Sequence, residues 1–211
     1  MNWASRSANN LFPLSAEKRD LASALREWLY LGDMYDLGAP CEACELCEHP
    51  DIRYQFKIVN RLNGNEMLVG SECINRFSIS AADEFGNVLD ENQSRRRVNR
   101  DRRYLVAEAR RRRLINVLVT LSALDDEFDI DSFIGYVQDR GAFTPNQLAL
   151  LFWRLNRNNV EYAPADFRLT IRRNREKDQL RAMKSWRIGR LWPALSPSQR
   201  NWVVENTEYR P

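Results

Sequence analysis

Residues 41–77 read CEACELCEHPDIRYQFKIVNRLNGNEMLVGSECINRF and contain all four cysteines and the only histidine of the 211-residue chain. Cys41, Cys44 and Cys47 are separated by two residues each, and Cys73 stands apart. A two-residue gap lets two thiolates converge on one metal ion from a tight turn, and a distant ligand completes a tetrahedron. The stretch therefore predicts a metal site formed by Cys41, Cys44, Cys47 and Cys73, with His49 as the alternative to Cys41.

The segment between the two groups of cysteines has the pattern of a β-hairpin. Apolar and polar residues alternate from Ile52 to Ile58, which is the period of two expected of a strand. Asn63-Gly64 favours a two-residue turn with positive φ, and residues 67–69 form the return strand. Ser71 is placed to cap a short helix whose first turn contains Cys73. We therefore expect a treble-clef-like zinc module.

The chemistry of the cysteines favours a metal over disulfides. We expect no signal peptide before them, in which case a reducing cytosol would keep them as thiols. Three cysteines at two-residue gaps plus a remote one also fit an iron–sulfur cluster, although the cysteine-proline ending of the bacterial ferredoxin run is absent. We expect one zinc ion, with an iron–sulfur cluster as the alternative. Four protein ligands would leave no open position for a catalytic water, so a structural role is predicted.

This part of the chain resembles a small zinc-module family of bacterial, phage and large-virus proteins, mostly of unassigned function. The resemblance covers roughly residues 20–80 and rests on Glu27-Trp28, CELC, IRYQFKIVN, NG and VGSECINRF. In that family's pattern the cysteine pair matches Cys44 and Cys47, and the last cysteine matches Cys73. Some relatives carry a second cysteine where this chain has Ser71, so the resemblance implies that Cys41 or His49 completes the site. It also implies a structural metal and a phage or mobile-element setting, but no reaction.

The composition is that of a globular protein, with 44% hydrophobic residues and 22 aromatic residues counting 6 Trp, 7 Tyr and 9 Phe. That is enough for a packed core in a chain of this length. The longest apolar run, residues 114–124, is interrupted by polar residues and is too short to span a bilayer. We expect a soluble protein of the bacterial host cytoplasm that has no membrane partner.

The net charge of +3 is unevenly distributed along the chain. Residues 1–94 carry 8 Lys/Arg and 15 Asp/Glu, whereas residues 95–211 carry 24 and 14. Such asymmetry indicates an anionic partner for the second half. An acidic, turn-bearing connector at residues 78–94 marks the boundary, so we predict an N-terminal helix and zinc module in 1–94 and an arginine-rich helical domain in 95–211.

The sequence before the cysteines predicts one helix. Residues 1–14 are polar and are expected to be irregular. Leu21, Leu25, Trp28 and Leu29 then fall on one helical face, which predicts a helix from about Ser15 to Gly32.

An arginine run opens the second half. Ten arginines lie between Arg95 and Arg113, and residues 95–124 lack Gly and Pro, which predicts one long helix. Arg110–Arg113 are consecutive and therefore cannot all lie on one solvated face, so at least one must cover apolar surface or contact a partner. The run is either a solvated face with extended side-chain stems or a phosphate-binding surface, and we favour the latter. Acidic residues at 125–131 can start the next helix or neutralise this run.

The last third predicts two capped helices and a second basic helix. Thr144-Pro145-Asn146-Gln147 and Ser196-Pro197-Ser198-Gln199 both have the pattern of a capping box with proline at the first helical position. Residues 167–192 alternate basic with apolar residues and predict a basic helix. Its Trp186 and Trp192 can stack on bases, but tryptophans at such spacing more often belong to a core.

The fold class predicted is therefore mainly α with a small β-hairpin: a treble-clef-like zinc module followed by a basic helical bundle of about four or five helices. The function predicted is a zinc-stabilised protein that binds nucleic acid, either DNA or RNA, and serves as an accessory or regulatory factor. The alternative is a module that binds a host enzyme or polymerase. A metal-dependent nuclease is less favoured because no nucleophile with a base, phosphate-binding glycine loop or histidine pair is present. The predicted nucleic-acid contacts are Arg95, Arg96, Arg97, Arg100, Arg102, Arg103, Arg110, Arg111, Arg112, Arg113, Arg172, Arg173, Arg175, Lys177, Arg181, Lys184, Arg187 and Arg190.

Overall fold

The computed structural model describes residues 3–211, which are about 54% helical and include a small mixed sheet. The chain divides into two compact units, one ending at Ala109 and the other running from Arg110 to Pro211. Each unit has its own hydrophobic core. The predicted fold class is therefore confirmed in its coarse form, as a largely helical protein with a small sheet.

Nine α-helices and four β-strands are present between Trp3 and Pro211. The helices are α1 (Trp3–Leu11), α2 (Leu21–Leu25), α3 (Ser71–Arg76), α4 (Glu91–Leu124), α5 (Ile130–Arg140), α6 (Pro145–Arg157), α7 (Asn174–Arg181), α8 (Ser185–Leu191) and α9 (Pro197–Asn206). The strands are β1 (Trp28–Asp36), β2 (Tyr54–Asn60), β3 (Glu66–Val69) and β4 (Ser80–Ala81). Short 3₁₀ helices lie at Phe12–Leu14, Pro164–Asp166 and Trp192–Ala194.

The four strands form one sheet in the first unit, in the order β3-β2-β1-β4. Strand β2 pairs antiparallel with both β1 and β3, and β4 runs parallel to β1. The predicted hairpin is confirmed as β2–β3, with Gly64 in the left-handed region at φ +78°. Its connection spans residues 61–65, so the expected two-residue turn is wrong, and Asn60 closes the loop by donating its amide to Asn65.

Two predictions about the first 36 residues are wrong. Residues 3–11 are helical rather than irregular, while Met1 and Asn2 lie outside the described residues. The helix expected from Ser15 to Gly32 is only the short α2, capped by the Asp20 carboxylate. The apolar spacing that suggested a helix continues into β1, where Trp28, Leu29 and Tyr30 are all buried and where the strand pairs with β2 and β4.

Gly32 has a different role from the predicted helix end. It lies at an irregularity of β1, between Tyr30 and Met34, with φ +118°. A Cβ atom at this position would lie 2.7 Å from a guanidinium nitrogen of Arg97. That guanidinium donates a hydrogen bond of 3.1 Å to the Leu31 carbonyl. The positive φ favours glycine at this position, whereas the Arg97 guanidinium is the end of a flexible side chain that can move aside.

The long helix predicted for residues 95–124 is confirmed as α4, which begins slightly earlier, at Glu91. The acidic connector before it is not a simple linker, because it provides β4 and a turn closed by the Ala82–Val88 bridge. The boundary between the two units falls within α4, after Ala109, and not at the predicted position after Ser94. The residues on both sides of Ala109 favour a helix, so α4 continues across the boundary between the two units.

The second unit is built around an aromatic cluster of Phe143, Phe152 and Phe167. Both predicted capping boxes are present: Thr144 caps α6 and Ser196 caps α9. The single basic helix predicted for residues 167–192 is wrong. The segment begins extended, with Leu169 bridged to Phe143, and continues as the separate helices α7 and α8. Over residues 3–211, no helix combines the length and the apolar character that crossing a bilayer requires.

Candidate functional site

Three of the four cysteines converge in the first unit. The Sγ atoms of Cys44 and Cys73 are 3.5 Å apart, and those of Cys47 and Cys73 are 3.1 Å apart. All three side chains are buried. Among the described residues, these three cysteines form a group whose sulfurs are close enough to hold one metal ion.

The first two cysteines are positioned by a tight turn. The Cys44 carbonyl accepts a hydrogen bond from the Glu48 amide, and the Cys44 amide donates one to the His49 carbonyl. The turn closes because Glu48 adopts φ +61°, in the left-handed region. Asn10 of α1 fixes the turn from outside, donating to the Leu46 carbonyl at 3.3 Å and to the Glu48 carboxylate at 3.1 Å. This contact could not be predicted, because residues 3–11 were not expected to form a helix.

Cys73 comes from α3, as the sequence predicted. It lies in the first turn, but the capping residue is Gly70 and not Ser71, which is already helical and makes no capping hydrogen bond. The amide of Gly70 approaches the Cys44 sulfur at 3.5 Å. The hairpin β2–β3 thus ends in a helix start that brings both a thiol and an amide donor to the turn.

Hydrogen bonding between the thiols separates their pKa values. The side-chain hydrogen bond between Cys44 and Cys73 lowers the pKa of Cys44 to about 5, although burial opposes this shift. The same hydrogen bond, together with burial, raises the pKa of Cys73. The thiolate form is therefore favoured at Cys44 and disfavoured at Cys73.

The trio fits a thiolate-bound metal in its chemistry and its spacing. Sulfurs held 2.3 Å from a tetrahedral zinc lie about 3.8 Å from one another, so the observed group has to open by less than about 1 Å. Cys41, the other predicted ligand, is exposed and lies outside the trio. His49 is also exposed but lines the same cavity as the three cysteines. The fourth ligand thus remains a prediction.

A cavity of about 380 Å³ lies beside the cysteines. Its lining includes Arg6, Arg76 and the ring of Trp3, over which the Arg76 guanidinium lies at 5.4 Å. The lining also includes Arg53, Arg102 and the carboxylates Glu48 and Glu72, so cations outnumber anions beside the three thiols.

Much of the first arginine run is engaged within the protein. Arg97 and Arg100 contact the Asp101 carboxylate at 3.6 and 3.1 Å, and Arg102 contacts Glu72 at 3.1 Å. Arg103 donates to the Asn99 carbonyl at 3.2 Å. These contacts reduce the positive charge that this part of α4 presents to a partner.

The four consecutive arginines behave differently from one another, as their helical spacing predicted. Arg113 forms a two-point ion pair with Asp166, with nitrogen–oxygen distances of 2.6 and 2.8 Å. Arg110 is partly buried, whereas Arg111 and Arg112 are exposed. Asp125, the first of the acidic residues at 125–131, pairs with Arg154 at 2.7 Å and not with one of these four arginines.

Arg95 and Arg96 of α4 are exposed and form no salt bridge with a described carboxylate, and a larger group of such cations lies in and before α7 and α8. Among the described residues, no carboxylate forms a salt bridge with them, and all are exposed. They are Arg172, Arg175, Lys184, Arg187 and Arg190. Arg181, by contrast, pairs with Asp178 at 2.9 Å, and both Arg181 and Lys177 lie over the ring of Trp202.

Sequence reasoning missed one prominent residue of this region. Trp186 was expected to belong to a core, but it is 53% exposed, and the guanidiniums of Arg187 and Arg190 lie over its ring. Trp192, in the same predicted helix, does pack against the second core. Trp186 lies in α8 and Trp192 begins the 3₁₀ helix that follows it, so their different burial depends on contacts with other segments that periodicity does not show.

No family model matches the chain, and neither the curated proteins nor the solved structures contain a significant match. The resemblance drawn from the sequence is therefore untested by these comparisons.

Proposed function

We propose that this protein binds nucleic acid through the basic surface of its second unit, while a zinc ion stabilises the first. The observation that carries the proposal is the group of five exposed cations in and before α7 and α8, which we call the α7–α8 surface: Arg172, Arg175, Lys184, Arg187 and Arg190. Phosphate groups are the usual partners of such clustered, unneutralised cations. The role is binding, as an accessory or regulatory factor of a phage or mobile element.

The metal is proposed to be structural zinc held by Cys44, Cys47 and Cys73. The turn, the hairpin and the helix start are arranged in the order of a treble-clef-like module, which supports this assignment. Buried thiolates are ligands that zinc favours, and an iron–sulfur cluster is the alternative on the same donors. His49 or Cys41 would supply the fourth ligand.

The α7–α8 surface is favoured over Arg97, Arg100 and Arg102 of α4 because those three arginines already contact carboxylates. An arginine that already bonds a carboxylate gains less from a phosphate, since it must exchange one anionic partner for another. Arg100 and Arg102 have such partners, whereas Arg175 and Lys184 do not. This difference allows two double variants to be compared, one at Arg175 and Lys184 and the other at Arg100 and Arg102.

The test compares R175Q/K184Q with R100Q/R102Q, each of which removes two positive charges. Binding of a fluorescein-labelled 15-nucleotide oligomer is measured by anisotropy at several salt concentrations. We expect R175Q/K184Q to weaken binding about tenfold at low salt and to reduce the salt slope by roughly 1.4, because two phosphate contacts are lost. R100Q/R102Q should bind within about twofold of the unmodified chain.

Equal losses in the two variants would show that only net charge matters and would contradict the assignment of the surface. Absence of binding by the unmodified, metal-loaded chain to any oligomer would contradict the proposed function itself. In that case the protein-interaction alternative would become the leading hypothesis.

A further inference from the structure

Trp186 adds an exposed aromatic ring to the cations of the α7–α8 surface. Its indole is 53% exposed although the ring is large and apolar. The guanidinium carbon of Arg190 lies 5.0 Å from the ring centroid, and that of Arg187 lies 5.2 Å away. An exposed indole flanked by two cations is a surface on which another planar π system can stack.

Trp186 also lies at the edge of a groove between α7 and α8. The groove has a volume of about 770 Å³, and its lining includes the cations Arg175, Lys184 and Arg187 and the apolar Met183. The one acidic residue of its lining, Asp178, is paired with Arg181. The groove therefore combines unneutralised cations with an aromatic edge, which suits an anionic chain carrying planar groups.

We propose that Trp186 is a stacking platform for an unpaired base and that the α7–α8 surface takes single-stranded nucleic acid in preference to duplex. This rests on the proposed function and specifies its ligand. In a duplex the bases are stacked on one another and are not accessible to an exposed indole, whereas in a single strand each base offers a free face. A base that stacks on the indole takes the place of a guanidinium, which then contacts a neighbouring phosphate.

Trp153 provides an internal control of the same chemistry. It is 41% exposed and also has a guanidinium, that of Arg157, over its ring at 5.3 Å. Only one cation lies over this indole, compared with two at Trp186, and Trp153 is not part of the groove lining between α7 and α8. An effect of indole exposure alone would appear at both positions.

The experiment uses the full, metal-loaded chain and three 15-residue probes: oligo-dT, oligo-rU and a 15-base-pair DNA duplex. The variants are Trp186→Ala, Trp186→Phe and Trp153→Ala, each checked for folding by circular dichroism. We expect the unmodified chain to bind a single strand at least tenfold more tightly than the duplex. Trp186→Ala should weaken single-strand binding by about 5- to 150-fold, the range measured for loss of one stacked base.

Further readouts separate stacking from a general structural effect. Trp186→Phe should retain most of the affinity because phenylalanine keeps a ring, and Trp153→Ala should bind within about twofold of the unmodified chain. Binding of the single strand should quench tryptophan fluorescence, and the quenched component should be absent from Trp186→Ala. The dT and rU arms show whether DNA or RNA is preferred.

Unchanged affinity in Trp186→Ala, an equal loss in Trp153→Ala, or equal binding of duplex and single strand would overturn this inference. The proposed function would still stand if R175Q/K184Q weakened binding in the same assay. Failure of all three probes to bind the unmodified chain would overturn both.

Discussion

Single residues in this protein have roles that their sequence context did not identify, and Glu27 is the clearest example. Its buried carboxylate accepts hydrogen bonds of 2.7 Å from the amides of Ala16 and Glu17 and from the side chain of Asn60. It therefore connects the segment before α2 to the end of β2. The Glu27-Trp28 pair of the family resemblance thus includes a structural carboxylate.

The pKa of Glu27 gives the first prediction at this scale. Burial raises this pKa, but the hydrogen bonds from Asn60, Glu17 and Ala16 outweigh burial and hold it below the ordinary value of 4.5. A depressed carboxylate pKa stabilises the fold above the unfolded-state pKa, and the stabilisation is lost as the pH falls through the folded-state pKa. We expect Glu27→Gln to lower the free energy of unfolding at pH 7 by about 1–3 kcal/mol, because an amide group would face the two backbone donors.

The measurement is urea unfolding of Glu27→Gln beside the unmodified chain from pH 7 to pH 3. The difference between them should shrink below pH 4.5 as Glu27 becomes protonated. Glu84→Gln is the control, since Glu84 is exposed, and it should change stability by less than about 0.5 kcal/mol. Equal stability of Glu27→Gln and the unmodified chain at pH 7 would contradict this role.

The cysteines give the second residue-scale prediction. Cys73 belongs to the trio and Cys41 does not, so Cys73→Ser and Cys41→Ser remove the same chemical group with different expected results. Cys73→Ser should lose the bound metal and destabilise the first unit, because the free energy of a structural zinc site is also folding free energy. Cys41→Ser should keep one metal ion per chain unless Cys41 is the fourth ligand.

Elemental analysis of the purified variants and thermal melts with and without a chelator test this prediction. Removal of the metal should shift unfolding of the first unit and leave the second core intact, since each unit has a separate core. Full metal retention in Cys73→Ser would exclude the trio as the metal site.

At the scale of elements, local signals were predictable and non-local ones were not. The capping boxes at Thr144 and Ser196 and the long helix α4 depend on residues close in sequence, and all three are confirmed. Strand β1 was predicted as helix because its conformation depends on pairing with β2 and β4, which come later in the chain. The spacing of apolar residues alone fits either structure over so short a segment.

The same limit applied to the candidate sites. The turn containing Cys44 and Cys47 and the helix containing Cys73 could be predicted, because two-residue cysteine spacing and a hairpin are local features. The exclusion of Cys41 from the trio, and the separation of paired from unpaired arginines, depend on contacts between distant segments. Arg102 with Glu72 and Arg113 with Asp166 are such contacts, each linking residues 30 or more positions apart.

At the scale of the whole molecule, charge and metal chemistry are divided between the two units. The cysteine trio lies in the first unit, and the unneutralised cations of the α7–α8 surface lie in the second. The domain boundary predicted from composition was misplaced because charge changes near Ser94 while packing changes after Ala109. The excess of Lys and Arg nevertheless lies in the half of the chain that contains the proposed binding surface.

The most direct test of the central claim is the salt dependence of binding by the unmodified, metal-loaded chain to a single-stranded oligomer. If the five cations of the α7–α8 surface contact phosphates, a plot of the logarithm of the binding constant against the logarithm of salt concentration should have a slope of about −3.5. Affinity should then fall roughly a hundredfold between 50 and 200 mM salt. A slope close to zero would contradict the claim that these cations bind a nucleic acid.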